Sequence, residues 1–309
     1  MSLILGTLMP SVAFQPLIMR NVPSAAAVTS CAAAVHQKHC QQFCSYPMFA
    51  TVAPLRLQQS TMLLSTQTMQ ALVLNSALGA AGHIKGQRVL TLPGLWHSWA
   101  LGVMLWGSLG WRGWSTCVLY MLCGSMVTKV KKAKKEALGI SESAARGGAR
   151  GPENVWGSAA TAAVCALTSV VCPAQATLLR IAFVAALATK LSDTCASEIG
   201  KAFGKTTYLI TTMRLVPPGT EGAVSLEGTL AGFVGSIVLS VYAVGCGLIG
   251  PPALIPCLLA AIIATTAESF IGAVAQDKFR LLTNEVVNFI MTVIGAAAAI
   301  SLALVLRVA

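Results

Sequence analysis

The chain has 309 residues, of which 55% are hydrophobic and only 10% charged, and its mean hydropathy is +0.73. A soluble domain of that size carries about 25% charged residues, so this composition excludes one and describes an integral membrane protein. The net charge of +11 does not indicate a nucleic-acid partner, because aromatics are sparse and the basic residues cluster beside apolar spans, the positive-inside bias of a polytopic protein.

Residues 1–65 are rich in Ser, Thr, Ala and Gln, with isolated Arg20, Lys38 and Arg56, and no acidic residue precedes Glu136. An acid-free, hydroxylated, weakly basic leader of this kind predicts an organellar transit peptide, and its low arginine content favours the plastid. His36, His39, Cys40 and Cys44 have a spacing that could ligate zinc, but they fall inside this removable stretch and are read as coincidence. The ten cysteines form no CxxC, and those within apolar spans read as small buried hydrophobes.

Residues 66–309 read as one all-α, polytopic helical membrane domain with about seven or eight transmembrane helices. The apolar runs of spanning length are 67–83, 93–109, 112–128, 155–173, 176–194, 226–248, 252–272 and 284–306. Gly110-Trp111-Arg112-Gly113 predicts a tight turn between two of them, and Pro173 and Pro251-Pro252 separate later pairs. The loop from Lys129 to Glu153 carries Lys129, Lys131, Lys132, Lys134, Lys135, Arg146 and Arg150, which places it on the stromal or cytoplasmic side. Counting spans in pairs from that loop brings Asp193, and then Glu268 with Gln276, Asp277 and Lys278, to the same membrane face.

Asp193 opens the most informative stretch, in which four of the ten acidic residues, Asp193, Glu198, Glu221 and Glu227, lie close together. On a helix, Asp193, Ser197, Gly200 and Gly204 share one stripe, and Thr194, Glu198, Lys201 and Lys205 form the next. The first stripe is small enough for phosphates to approach the backbone, and the second supplies charge. Asp193 and Glu198 suit Mg²⁺, which takes one or two carboxylates plus phosphate oxygens and water. Lys201 and Lys205 suit phosphate as charge-assisted donors. Gly200 and Gly204 also have the GxxxG spacing of a helix-packing face, the competing reading for those glycines.

The following loop interleaves Gly219, Gly222 and Gly228 with Thr220, Ser225 and Thr229 just before a span begins at Leu226. Glycine-rich turns at a helix start present N–H groups to an anion, with Glu221 and Glu227 as further metal or lysine partners. Neither a Walker loop nor a Rossmann fingerprint is present. Glu268, near the end of an apolar helix, and Asn284, Glu285 and Asn288, on one face of the last span, complete the candidate site. No histidine follows His97, so histidine chemistry has no residue in this half.

The strings SDTCASEIGKAFGK, LITTMRLVPPGTEGAVSLEGTLAG, ESFIGA and LTNEVVNF resemble the transmembrane protein 19 family of integral membrane proteins. VTKVKKAKKEALGI and RGPENVWGS resemble its plastid branch, the phytyl-phosphate kinases. A fainter likeness to the dolichol and phytol kinases and the CDP-diacylglycerol synthases rests on Asp193, Ala196, Gly200, Lys201, Gly204 and Lys205 with Glu227-Gly228. The Lys-Thr that usually precedes that Glu-Gly is replaced by Val224-Ser225.

The resemblance implies an Mg²⁺-dependent kinase that uses CTP or another nucleoside triphosphate to convert phytyl phosphate to phytyl diphosphate in tocopherol synthesis and phytol salvage. Its implied host is a chloroplast membrane, the envelope ahead of the thylakoid, and its implied partners are the prenyl phosphate lipid, the nucleotide and the bilayer. Asp193, with Glu198 or Glu227, would hold the metal. Lys201, Lys205 and the backbone of 219–229 would neutralise the transferring group. The alternatives are a phytol or polyprenol kinase performing the first phosphorylation, a cytidylyltransferase, and a transporter of a lipid or phosphorylated metabolite. The oligomeric state stays open.

Overall fold

In a bilayer no water bonds the backbone, and apolar runs of spanning length satisfy every N–H and C=O within themselves by forming helices. The structure is a computed structural model that describes residues 66–84, 90–141, 149–276, 279 and 282–308. The predicted leader with its His/Cys stretch, Arg146, Asp277, Lys278 and the Gln276 side chain lie outside the described residues.

In chain order the helices are α1 (Thr66–Ile84), α2 (Leu92–Lys129), the short α3 (Lys132–Ala137), α4 (Pro152–Val171), α5 (Ala176–Phe203), α6 (Leu226–Gly245), α7 (Leu254–Ile271) and α8 (Asn284–Val305). Between α5 and α6 lies a small antiparallel ribbon, β1 (Tyr208–Leu209) with β2 (Ala223–Val224). It is the one departure from the all-α expectation among the described residues. Five segments, those of α4 to α8, are long and apolar enough to cross a membrane. Together with α1 and the two halves of α2 they make up the expected seven or eight membrane helices.

A straight α2 of 38 residues would run about 57 Å, well beyond the roughly 30 Å bilayer core. It is not straight. Gly110 has non-helical φ 66° and ψ −164°, and Asn75 of α1 touches both Gly102 and Trp114. Those two positions would be about 18 Å apart along one helix, so α2 folds back at the predicted Gly110 turn. Arg112 Nη1 donates to the Gly247 carbonyl (3.1 Å), tying this turn to the end of α6. Short 3-10 turns stand at Pro173–Gln175 and Pro251–Ala253, where the prolines predicted breaks.

Helix α5 is the centre of the bundle. Residues 181–192 are buried without interruption, enclosed by α2, α4, α6, α7 and α8. Lipid tails are as apolar as leucine, so close backbone approach rather than water exclusion drives such packing, and small residues provide it. Ala182, Ala185, Ala186 and Ala188 serve on α5, and Gly228, Gly232 and Gly235 on α6. A Cβ at Gly228 would lie 2.6 Å from the Ala196 carbonyl oxygen, and one at Gly232 2.9 Å from that of Ser192. The α5–α6 crossing is therefore a small-residue seam.

The segment between α5 and α6 is tied together by its own backbone hydrogen bonds and packs closely on the end of α7. Ile210 N–H donates to the Gly222 carbonyl (3.1 Å) and Val216 N–H to that of Thr207 (3.0 Å). Gly222 has φ 73°, and a Cβ there would come within 2.5 Å of the Ser269 carbonyl oxygen on α7. Gly222→Ala should cost about 1–3 kcal/mol from the strained backbone alone, seen as a lower unfolding midpoint in detergent. Gly245→Ala, which meets open space, should leave the midpoint unchanged or slightly higher.

Candidate functional site

A cavity of about 920 Å³ opens where the basic segment after α2, the end of α5, the 218–225 loop and the end of α7 come together. Lys129, Lys132 and Arg150 line it beside Asp193, Glu198 and Glu268. The three polar segments that span counting placed on one membrane face thus share a single chamber.

The chamber is organised around α5. Lys190 and Asp193 stand one turn apart, the spacing at which helix side chains meet, and Lys190 Nζ lies 2.6 Å from Asp193 Oδ2. The same ammonium donates to Asn288 Oδ1 on α8 at 2.7 Å. Both charged side chains are largely buried, at 10% and 15% exposure. Charge inside a membrane helix is costly unless paired, and here the pair faces the cavity rather than lipid. Glu268 on α7 lies close enough to Asp193, Lys190 and Glu221 to feel their charges, and its carboxylate accepts a long hydrogen bond from Ser269 Oγ (3.4 Å). Beyond Glu268 the helix widens into a π turn at Gly272–Gln276.

The basic segment is docked, not loose. Lys135, only 1% exposed, forms a buried ion pair with Glu198 and also donates to the Thr128 carbonyl (2.9 Å). Lys134 Nζ donates to the Ala202 carbonyl (3.2 Å) at the C-terminal end of α5, where the helix dipole favours a cation. Lys131 Nζ sits 3.7 Å from the centre of the Phe203 ring.

Most of the predicted site residues meet at this chamber. Asp193, Glu198, Gly200 and Lys201 line it from α5. The loop and the start of α6 contribute Gly219, Thr220, Gly222, Ser225, Gly228 and Thr229, and Glu268 and Asn284 come from α7 and α8. Gly204, Lys205 and Glu227 do not belong to the lining. The stripe expected to carry Lys205 is corrected by the structure: α5 ends at Phe203, so Lys205 is an exposed residue past the helix, its backbone N–H 3.4 Å from Glu227 Oε1.

Ser225 caps α6, its Oγ accepting from the Gly228 N–H (3.1 Å). A Cβ at Gly200 or at Gly204 would lie 3.1 Å from that hydroxyl, so these two glycines meet the start of α6 as a packing face. Glu198 is committed to Lys135. Among the described residues no three His, Cys, Asp or Glu side chains group closely enough to hold a metal ion by themselves.

Sequence reasoning passed over Lys190 and used Lys135 only to orient the chain. The signal for Lys190 was a single lysine inside an otherwise apolar run, one turn ahead of Asp193.

The cavity does not stop at the charges. It continues as an apolar arm between α1, both halves of α2 and the start of α4, lined by Leu78, Trp99, Leu105, Val118 and Met121 among others. Two indole N–H groups clamp α1 to α2 along this arm, Trp99 on Ser76 Oγ and Trp114 on Asn75 Oδ1, each at 3.1 Å. A charged chamber joined to an apolar arm is the shape that receives an amphiphile with an anionic head.

The model of the family described as integral membrane protein DUF92 matches residues 73–296, which contain every motif string quoted above. The chain belongs to this family. That membership agrees with the resemblance read from the strings. Among its relatives is the uncharacterized membrane protein sll0875 of Synechocystis, 53% identical over 235 residues, covering 76% of this chain and 90% of that protein. The chloroplastic protein VTE6 of Arabidopsis thaliana is 47% identical over 218 residues, covering 68% of this chain and 64% of the relative. The uncharacterized membrane protein MJ0933 of Methanocaldococcus jannaschii is 30% identical over 213 residues, covering 69% and 85%. No solved structure matches the chain.

Proposed function

We propose that this protein is a phytyl-phosphate kinase of a chloroplast membrane, transferring a phosphoryl group from CTP or another nucleoside triphosphate to phytyl phosphate. The product, phytyl diphosphate, would feed tocopherol synthesis and phytol salvage. The observation that carries this reading is the junction of a charged chamber with an apolar arm in one cavity. A water-soluble substrate has no use for the arm, and a plain lipid has no use for the chamber. The chloroplast assignment draws support from the chloroplastic relative in Arabidopsis and from the predicted leader.

In the proposed reaction an oxygen of the acceptor phosphate attacks the γ-phosphorus of the nucleotide. The bond from that phosphorus to the β–γ bridging oxygen breaks, and the nucleoside diphosphate leaves. A phosphate monoester is already an anionic nucleophile, so the site needs charge neutralisation and alignment more than a general base. Lys201, with Lys129 and Lys132 of the docked basic segment, supplies positive charge along the chamber. Lys190 offsets Asp193 and faces the same space.

Mg²⁺ bound with the nucleotide would supply further neutralisation. Asp193 and Glu268, two carboxylates in one chamber, fit the donor set that Mg²⁺ takes when phosphate oxygens and water complete it. Asp193 is paired with Lys190, which itself lines the cavity, whereas Glu198 is held by Lys135 outside the lining and Glu227 lies off the cavity, so these two are the weaker candidates.

Purified protein in detergent, given phytyl phosphate or phytol with Mg²⁺ and each nucleoside triphosphate in turn, should form phytyl diphosphate from phytyl phosphate only. Product from phytol alone would replace this reading with the first phosphorylation. Nucleotide-independent movement of phytyl phosphate across liposomes would replace it with transport.

A further inference from the structure

The apolar arm has an inner end. Its lining ends at Asn75 on α1, at Leu105 on the first half of α2 and at Trp114 on the second half. Asn75 is only 6% exposed, and its amide is used at both ends: Nδ2 donates to the Ala71 carbonyl (2.8 Å) and Oδ1 accepts from Trp114 Nε1 (3.1 Å). Gly102 leaves room for the Asn75 side chain, and a Cβ there would collide with it. The Trp106 ring stands edge-on to Trp114, with centroids 5.3 Å apart, and backs it from the first half of α2.

A polar amide inside the hydrocarbon layer is expensive unless bonded, so these partners hold one another and the indole is fixed in place. From Lys129 at the charged mouth to Trp114 the second half of α2 runs about 22 Å, longer than the roughly 15 Å of one leaflet's hydrocarbon.

We propose that Trp114, braced by Asn75, is a specificity-determining residue that sets the length of prenyl chain the cavity accepts. This rests on the prenyl-phosphate reading above. A single chain of about one leaflet's reach or a little more fills the arm. A short chain leaves apolar wall uncovered, and a long polyprenyl chain meets the indole. Contacts from α1 and from both halves of α2 hold Trp114 at this end of the arm.

The test uses the full-length protein in detergent with farnesyl, phytyl and solanesyl monophosphates, followed in two ways: diphosphate formation, and displacement of radiolabelled phytyl phosphate. The wild type should prefer phytyl to solanesyl phosphate by at least about tenfold in both readouts. Trp114→Ala should raise the solanesyl-to-phytyl ratio about tenfold or more. Cys117→Phe, which fills the arm from its wall, should shift preference the other way, toward farnesyl, and it keeps the question answerable if Trp114→Ala does not fold.

Length-indifferent displacement by the wild type would overturn the inference. So would an unchanged ranking in a variant that folds. Length-ranked displacement without diphosphate formation would leave the role of Trp114 standing and overturn the kinase reading instead.

Discussion

Asp193→Asn is expected to lower kcat/KM for phytyl phosphate by about a hundred- to a thousandfold while the protein still inserts and purifies as a single species. The size follows from removing one charged group from a preorganised phosphoryl-transfer site, a loss of about 2.7–4 kcal/mol in transition-state stabilisation. Asparagine has the same shape, and its amide oxygen can still accept from Lys190 Nζ, which also keeps its bond to Asn288; Lys190 loses its counter-charge, so some loss of stability should accompany the loss of turnover. Most of the loss should fall on kcat, since the carboxylate acts where charge develops on the transferring group. Glu227→Gln, off the cavity, should lose far less. Steady-state rates on matched amounts of folded variant make the comparison, and an Asp193→Asn protein that turns over normally would remove Asp193 from the site.

The second large effect is on stability. Lys135→Met should destabilise the protein by about 3–5 kcal/mol, because it strands Glu198 as a buried carboxylate with no cation. Pairing it with Glu198→Gln should recover much of that loss, since the stranded charge and not the missing bond is the main cost. The exposed pair formed by Lys132 and Glu136 (3.4 Å, side chains about half exposed) provides the contrast: Lys132→Met should cost no more than about 1 kcal/mol. Denaturant or thermal unfolding in a mild detergent distinguishes the two. Equal losses at Lys135 and Lys132 would mean that the basic segment is not docked on α5.

Those two predictions rest on residues that were unequally visible beforehand. Asp193 stood out in the sequence because a carboxylate among apolar residues has to be explained. The spans were legible for the same reason, since a stretch that must satisfy its own backbone in lipid shows its length and apolarity directly. The Gly110 turn and the proline breaks followed from local chain chemistry, and the convergence of three polar segments followed from counting spans in pairs. The reading went astray where it extended a helix by periodicity alone. The stripe through Lys205 assumed that α5 continued, but it ends at Phe203, where Lys134 meets the last turn.

By itself, then, the sequence determined that this is a helical membrane protein of about eight apolar segments, with the unusual polar residues of its C-terminal two-thirds gathered at one face. Those are properties of composition and local pattern. Only the tertiary structure decided which carboxylate is held by which lysine, that Gly200 and Gly228 serve a close helix crossing, and that the charged chamber continues into an apolar arm whose lining ends at Asn75 and Trp114. Each of these depends on partners far apart in the chain: Lys135 with Glu198, Lys190 with Asn288, Asn75 with Trp114. One-dimensional spacing carries the period of a helix, but it does not carry the rotation and depth at which one helix meets another.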